Sequence, residues 1–197
     1  MSHSQGREEE IIAKATWNLP AGSVIDIGAY DGDLYSNSFA LIARGWNALC
    51  VEPSPWAFAR LAELYAGNPR VTLLNAAIGV DTRIVKFWDC AGEPYSTTVE
   101  AQLAKWPGRI FRPYWVPQIT IATMLAQLGS GADVLSIDCE GSSVDILMSC
   151  PIGSWAPRVI VVEHDARAIE LTGWANERGY EIAQGGLNAE NIILVKR

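Results

Sequence analysis

The stretch Val24-Ile25-Asp26-Ile27-Gly28-Ala29-Tyr30-Asp31-Gly32-Asp33 constrains the fold more than any other. An apolar run ends in a carboxylate, passes through a tight glycine turn and leaves in a polar direction. An open α/β sheet builds a ligand crevice in this way, with the first strand delivering a loop at its carboxyl end. Gly28 and Gly32 supply the positive φ and the close backbone approach that such a turn needs. The loop carries three aspartates and lacks the G-x-G-x-x-G spacing of a pyrophosphate cradle. It therefore suits a ligand with positive charge and no phosphate.

Beyond this loop the chain alternates strand with helix. Ser36–Arg44 reads as a helix closed by Gly45, and Asn47–Val51 as a strand ending at Glu52. Ser54-Pro55 opens a helix to Ala66, and Arg70–Leu74 is a third strand before Asn75-Ala76-Ala77. Ile84–Trp88 reads as an edge strand. Thr120–Leu128 reads as a helix stopped by Gly129, and Asp133–Ile137 as a strand ending in Asp138-Cys139-Glu140-Gly141. Ser142–Met148 is expected to be helical, Arg158–Val162 a strand ending in Glu163-His164-Asp165, and Ala166–Arg178 a helix before a final strand pair at 180–184 and 192–196. The spacing implies parallel βαβ units: one α/β, doubly wound, Rossmann-like sheet.

Ahead of it, residues 1–20 form an N-terminal helical segment, Glu8–Leu19 closed by Pro20, with residues 1–6 frayed; the domain itself spans 21–197. Between 89 and 118 the periodicity fails, and four prolines stand among Tyr95, Trp106, Phe111, Tyr114 and Trp115. A long irregular segment of this kind tends to be functional; its aromatics can close over a substrate, with Arg109 and Arg112 able to meet an anion, or can equally cover the core.

Ligands in such sheets lie beyond the carboxyl ends of the strands. Asp26, Glu52, Asn75, Asp138, Glu140, Glu163, His164 and Asp165 should gather there, and four of the five central strands end in an acid. Glu52 stands where a carboxylate accepts hydrogen bonds from both ribose hydroxyls; its alternative reading is a helix-capping acid. Asn75-Ala76-Ala77 borders an adenine, Asp138 or Glu140 holds an ammonium group or positions a nucleophile, and His164 takes the proton of a hydroxyl acceptor. S-adenosylmethionine, with its sulfonium and ammonium groups, fits an acid-ringed loop of this kind.

The net charge of −7 argues against nucleic acid as partner. No apolar run reaches the length of a membrane helix, and the N-terminus carries no signal-peptide pattern. Four cysteines without a C-x-x-C pair read as reduced thiols of a cytoplasmic protein. No metal-ligand spacing is evident. A nicotinamide-dependent reductase would need a glycine fingerprint that is missing, whereas a non-catalytic binding module on the same scaffold needs none.

Four blocks carry a resemblance. Asp26-Ile27-Gly28-Ala29-Tyr30-Asp31-Gly32, Val51-Glu52-Pro53-Ser54-Pro55, Leu135-Ser136-Ile137-Asp138-Cys139-Glu140-Gly141 and Val161-Val162-Glu163 resemble, in order and spacing, the FkbM family of S-adenosylmethionine-dependent methyltransferases. The resemblance implies a seven-stranded class I methyltransferase sheet, mostly parallel with an antiparallel last strand. It implies a methyl donor held by Asp26, Gly28, Ala29, Tyr30, Asp31, Gly32, Glu52 and Pro53, with Asn75, Ala76, Ala77 and Asp138 beside it. It also implies O-methylation of a hydroxyl on a sugar, polyketide or other small metabolite or glycan. Ser136 stands where the family often has lysine, and Ser142-Ser143 replaces a common alanine-glutamate.

Overall fold

The computed structural model describes residues 3–90, 92–128 and 131–197. Its frame is a seven-stranded sheet. The strands are β1 (Ser23–Ile27), β2 (Asn47–Val51), β3 (Val71–Leu74), β7 (Val134–Ile137), β8 (Val159–Glu163), β9 (Tyr180–Leu187) and β10 (Asn191–Lys196). They lie side by side in the order β3-β2-β1-β7-β8-β10-β9. The first five are parallel neighbours, and β10 runs antiparallel between β8 and β9. The chain order reverses between β1 and β7, and that switch point opens the crevice. β7 and the body of β8 are wholly buried, the pattern of strands covered on both faces.

Helices pack on the two faces. The segments α4 (Ile121–Leu128), α5 (Ser143–Ser149) and α6 (Ala168–Glu177) lie with one core, built on Ile25, Leu135, Ile137, Ile146, Leu147, Ile160 and Tyr180. The other core joins α1 (Glu8–Ala15), α2 (Phe39–Ala43) and α3 (Pro55–Leu64) through Ile12, Leu41, Trp46 and Leu61. Ser54 caps α3 by accepting from the Ala57 amide at 3.3 Å, with Pro55 at the first helical position, as its sequence predicts. The stop expected at Gly129 lies outside the described residues.

Two sequence expectations change. The N-terminal residues 3–6, expected to fray, are tied down. His3 Nδ1 lies 2.5 Å from Asp33 Oδ1, and its ring stacks on Phe39 at 3.9 Å. Glu8, fully buried, accepts from the Gly6 amide at 2.6 Å and from Asn188 Nδ2 at 2.8 Å. The helix itself ends at Ala15, four residues short of the Leu19 expected.

The second change concerns the segment 89–118, which is not irregular throughout. It contains a 3-10 turn at Glu100–Lys105 and a long strand, β6 (Arg112–Ile119). With β4 (Ala77–Ile78) and β5 (Arg83–Asp89) this strand makes a separate sheet in the order β4-β6-β5. Pro113 and Pro117 hid the strand, because proline cannot donate to a ladder. Here they lie opposite Trp88 and Ile84. Trp88 gives its amide to Thr97 (2.8 Å) and accepts from the Thr97 amide (3.0 Å), so it faces away from β6 and asks nothing of Pro113. The alternation of antiparallel pairs puts Pro117, four residues on, in the same position.

Candidate active site

The tips of β1, β2 and β7 meet at the switch point. Asp138 gives its amide to the Ile27 carbonyl at 2.9 Å, and the Gly28 and Ala29 amides both converge on the Val51 carbonyl, at 2.9 and 3.0 Å. The glycine loop is thus folded back onto β2. Gly28 holds φ +84°, and a Cβ there would fall inside the Asp138 carbonyl.

A cavity opens beyond these tips. Asp26, Gly28, Ala29, Tyr30, Glu52, Pro53, Ala76, Ala77, Asp138 and Glu140 line it, so the structure brings ten of the predicted residues together. Of the described residues that line it, none is Lys or Arg. Asp26 lies buried at its floor, with Oδ2 accepting from Ser38 Oγ at 2.6 Å; burial pushes its carboxyl up. Glu52 is buried and clamps the loop: Oε2 accepts from the Tyr30 amide at 2.9 Å and Oε1 from the Ser54 amide at 2.7 Å. Each oxygen still has accepting capacity. Loss of water around Glu52 pushes its pKa up to about 7 despite those two bonds.

Six predicted residues sit outside the cavity lining: Asp31, Gly32, Asn75, Glu163, His164 and Asp165. Asp31 is a turn-former whose Oδ1 accepts from the Asp33 and Leu34 amides at 3.1 and 2.9 Å. Gly32 packs on α3, where a Cβ would meet Leu61 and Tyr65. Asn75 gives its side-chain amide to the Glu52 carbonyl at 2.7 Å, bracing the turn below the cavity instead of bordering a ring. His164 is turned elsewhere. Its Nδ1 accepts from the Ala166 amide at 3.1 Å, and its Nε2 lies 3.2 Å from the Asn188 carbonyl. Both ring nitrogens serve the loop before α6. Replacing His164 with glutamine should therefore leave donor affinity and turnover within about twofold, measured by calorimetry and by product release.

The acids at the tips of β7 and β8 form a second layer. Burial, reinforced by the charges of Asp26, Glu190 and Asp165, pushes the Asp138 carboxyl up, with Glu163 acting against that rise; burial, reinforced by the charges of Asp138, Glu140 and Asp165, pushes Glu163 up. Glu163 also accepts from Ser143 Oγ at 3.1 Å. Burial, reinforced by the charge of Asp138, raises Glu140 to about 8. Glu140 has φ +49°, and its carbonyl accepts from Thr97 Oγ1 at 2.7 Å. A raised carboxyl binds its proton in the folded state before the unfolded chain would, so stability is full below the unfolded pKa and is lost as pH rises through the folded one. The ligand-free protein should therefore be most heat-resistant near pH 5 and lose Tm steadily towards pH 8, as scanning calorimetry would register.

Sequence reasoning missed part of the wall. Ser36, Asn37 and Ser136 line the cavity, with Asn37 Nδ2 donating to Ser136 Oγ at 3.2 Å. The polar Ser-Asn-Ser run was the available signal, but it read as the first turn of the helix expected over Ser36–Arg44, which begins only at Phe39. Pro94, Ser96, Thr97 and Thr98 enter from the segment beside the small sheet, and Gln5 from the N-terminal strap, its Oε1 accepting from Asn191 Nδ2 at 3.1 Å. No local pattern announces residues delivered from so far along the chain.

A sheet of this order, with its one antiparallel strand second from the edge and an acid-lined cavity at its switch point, defines a class I S-adenosylmethionine-dependent methyltransferase. The methyltransferase FkbM domain matches residues 26–182, and the chain belongs to that family. No curated protein matches it. Among solved structures it resembles a candidate methyltransferase, yhhF, of Escherichia coli (12% identity, 100% of this chain and 90% of that one, TM-score 0.53). It is also similar to a candidate rRNA methylase of Clostridium thermocellum (10%, 98% and 96%, 0.52) and to the ribosomal protein L11 methylase of Lactobacillus delbrueckii subsp. bulgaricus (10%, 97% and 80%, 0.50). At these identities the likeness is one of fold.

The cofactor is S-adenosylmethionine. The cavity fits it chemically: carboxyls at floor and rim, small residues at Ala76 and Ala77, and no cation in the lining to receive a phosphate. Among the described residues no acid or imidazole cluster is arranged for a metal ion, and no helix is long and apolar enough to cross a membrane.

Proposed function

We propose that the chain methylates a hydroxyl oxygen of a small metabolite, a sugar or a polyketide, with S-adenosylmethionine as donor. The observation that carries this reading is Glu140, a cavity-lining carboxyl whose burial raises it to about 8. A carboxylate of that basicity is a far better proton acceptor than an exposed glutamate. Glu52 receives the ribose hydroxyls on its remaining lone pairs, the Gly28–Tyr30 turn and Pro53 shape the wall, and Ala76 and Ala77 leave room for the adenine. Asp26 and Asp138 supply negative potential towards the ammonium and sulfonium. When bound, the donor supplies an electrophilic methyl group. Glu140 orients the acceptor hydroxyl and takes its proton as the oxygen attacks, and the sulfonium leaves as the neutral thioether of S-adenosylhomocysteine. Holding the two reactants in line accounts for most of the acceleration. The net charge of −7 favours a small acceptor over a nucleic acid.

The test pairs calorimetry with product release. S-adenosylmethionine and S-adenosylhomocysteine should bind at micromolar levels, and a panel of hydroxylated acceptors should release S-adenosylhomocysteine. Glu140→Gln should lower turnover by about 10²–10⁴-fold with donor affinity held within twofold. Unchanged turnover would remove Glu140 from the chemistry, and no binding of either adenosyl compound would remove the enzyme.

A further inference from the structure

The small sheet has two faces of opposite character. Val85, Phe87, Tyr114 and Val116 turn inward over Ala77. Ile84, Lys86, Trp88, Trp115 and Pro117 alternate with them and turn outward. Ile84 is 62% and Trp115 72% exposed, and Lys86 Nζ lies 4.9 Å over the Trp88 ring. Such a concentration of aromatic and aliphatic surface in water marks a contact site.

A groove of about 390 Å³ runs along this sheet beside the start of α5, within the size range of small-molecule clefts. Trp88 and Trp115 give it flat apolar walls; Thr98 and Ser142 give it hydroxyls. Ile78, Thr98 and Ser142 line both this groove and the donor cavity, so the two meet at a common wall. The charges along it are engaged: Arg83 pairs with Asp81 at 3.2 Å, Asp145 with Arg167 at 2.7 Å, and the ammonium of Lys86, which also lines the groove, lies over the Trp88 ring. A lining whose charges are engaged selects for an uncharged ligand.

We propose that the groove holds the body of the methyl acceptor, an uncharged hydroxylated ring compound. This rests on the methyl-transfer reading above and adds where the acceptor lies and what selects it. One apolar ring face stacks on Trp115 and Trp88, the hydroxyl edge turns to Thr98 and Ser142, and the oxygen to be methylated reaches past their shared wall into the donor cavity. Trp115 and Trp88 are specificity residues in this arrangement, remote from the reacting atoms. A glycoside and a hydroxylated macrolactone share this chemistry.

The experiment uses full-length protein labelled with 5-fluorotryptophan and saturated with S-adenosylhomocysteine. Fluorine NMR separates its eight tryptophans, and Trp88→Phe and Trp115→Phe assign the two in question. Phenyl β-glucoside and a macrolactone aglycone are titrated as separate arms, with toluene as the hydroxyl-free comparison. At least one hydroxylated probe should shift the Trp88 and Trp115 signals and leave that of buried Trp46 in place, and Trp115→Phe should weaken that probe at least fivefold; the arm that responds identifies the source. Unmoved signals with both hydroxylated probes, or an equal response to toluene, would overturn the proposal. So would signals that move on dilution without any probe, which would make the face a contact between copies of the chain. Calorimetry with S-adenosylhomocysteine on the same sample is independent of the groove, so a failed donor site and a failed groove give different results.

Discussion

Gly28→Ala is expected to abolish donor binding. Two costs combine at this position. The backbone holds φ +84°, a left-handed conformation that disfavours any side chain by about 1–2 kcal/mol. The larger cost is steric. The added methyl would occupy the Asp138 carbonyl, which is backbone and cannot swing aside. Relief requires separating the tips of β1 and β7, held together by the Asp138 amide on the Ile27 carbonyl. That separation also displaces Ala29 and Tyr30 from Val51 and Glu52. Affinity for S-adenosylhomocysteine should fall by more than about 10²-fold, with a lowered Tm of the ligand-free protein. Gly45→Ala is the control, since a Cβ at Gly45 meets nothing within 4 Å although φ is +87°. It should cost stability alone and leave donor affinity intact. Equal affinities in wild type and Gly28→Ala would show that the tips open freely.

Glu52→Ala should have the second largest effect, by a different route. The carboxyl is 5% exposed and accepts two backbone amides. Its loss leaves those amides without their partner, at about 1–3 kcal/mol each, and removes the proposed ribose contact as well. A loss of donor affinity of about 10²–10³-fold is expected. Glu52→Gln should recover little, because its NH₂ must face an amide that is itself a donor. The same group sets a pH dependence. In the proposed contact the ribose hydroxyls bind the ionised carboxylate, whose pKa lies at about 7 in the free protein. Donor affinity should therefore weaken as pH falls below about 7, by up to tenfold per unit, and this slope should vanish in Glu52→Ala. The direction is opposite to that of stability, which falls as pH rises. A protein titrated by calorimetry at pH 6 and pH 8 separates the two trends.

Much of this molecule was readable from the chain because local signals agreed with the global arrangement. Val24–Ile27, Leu135–Ile137 and Val159–Val162 are apolar runs too short for helices and bounded by turn residues, which fixes both their type and their acid tips. Ser54-Pro55 and Gly45 marked helix ends by chemistry that acts within a few residues. The misses share one cause, a dependence on partners distant in sequence. Strand β6 looked impossible because Pro113 and Pro117 break a ladder, and only the presence of Thr97 on the far side of Trp88 shows why they do not. His164 carries suitable chemistry at a suitable address, yet the Ala166 amide and the Asn188 carbonyl claim its ring. Asp31 and Gly32 belong to the right motif and serve the turn itself. Gln5 reached the cavity through Asn191, a contact spanning nearly the whole chain.

That last contact bears on the order in which the protein can become competent. Glu8 accepts from Asn188, 180 residues further on, at the turn that opens β10, the strand inserted between β8 and β9. On the ribosome residues 3–8 precede this strand; His3 can meet Asp33 and Phe39 early, but Gln5 and Glu8 lack their partners until the late strand leaves the exit tunnel. The frame from β1 to β8 can assemble during synthesis, whereas the strap bearing Gln5 closes only once Asn188 and Asn191 have emerged. A nascent polypeptide with Glu163 emerged and Asn188 still to come would hold the strand tips of the cradle and still lack one edge of its rim.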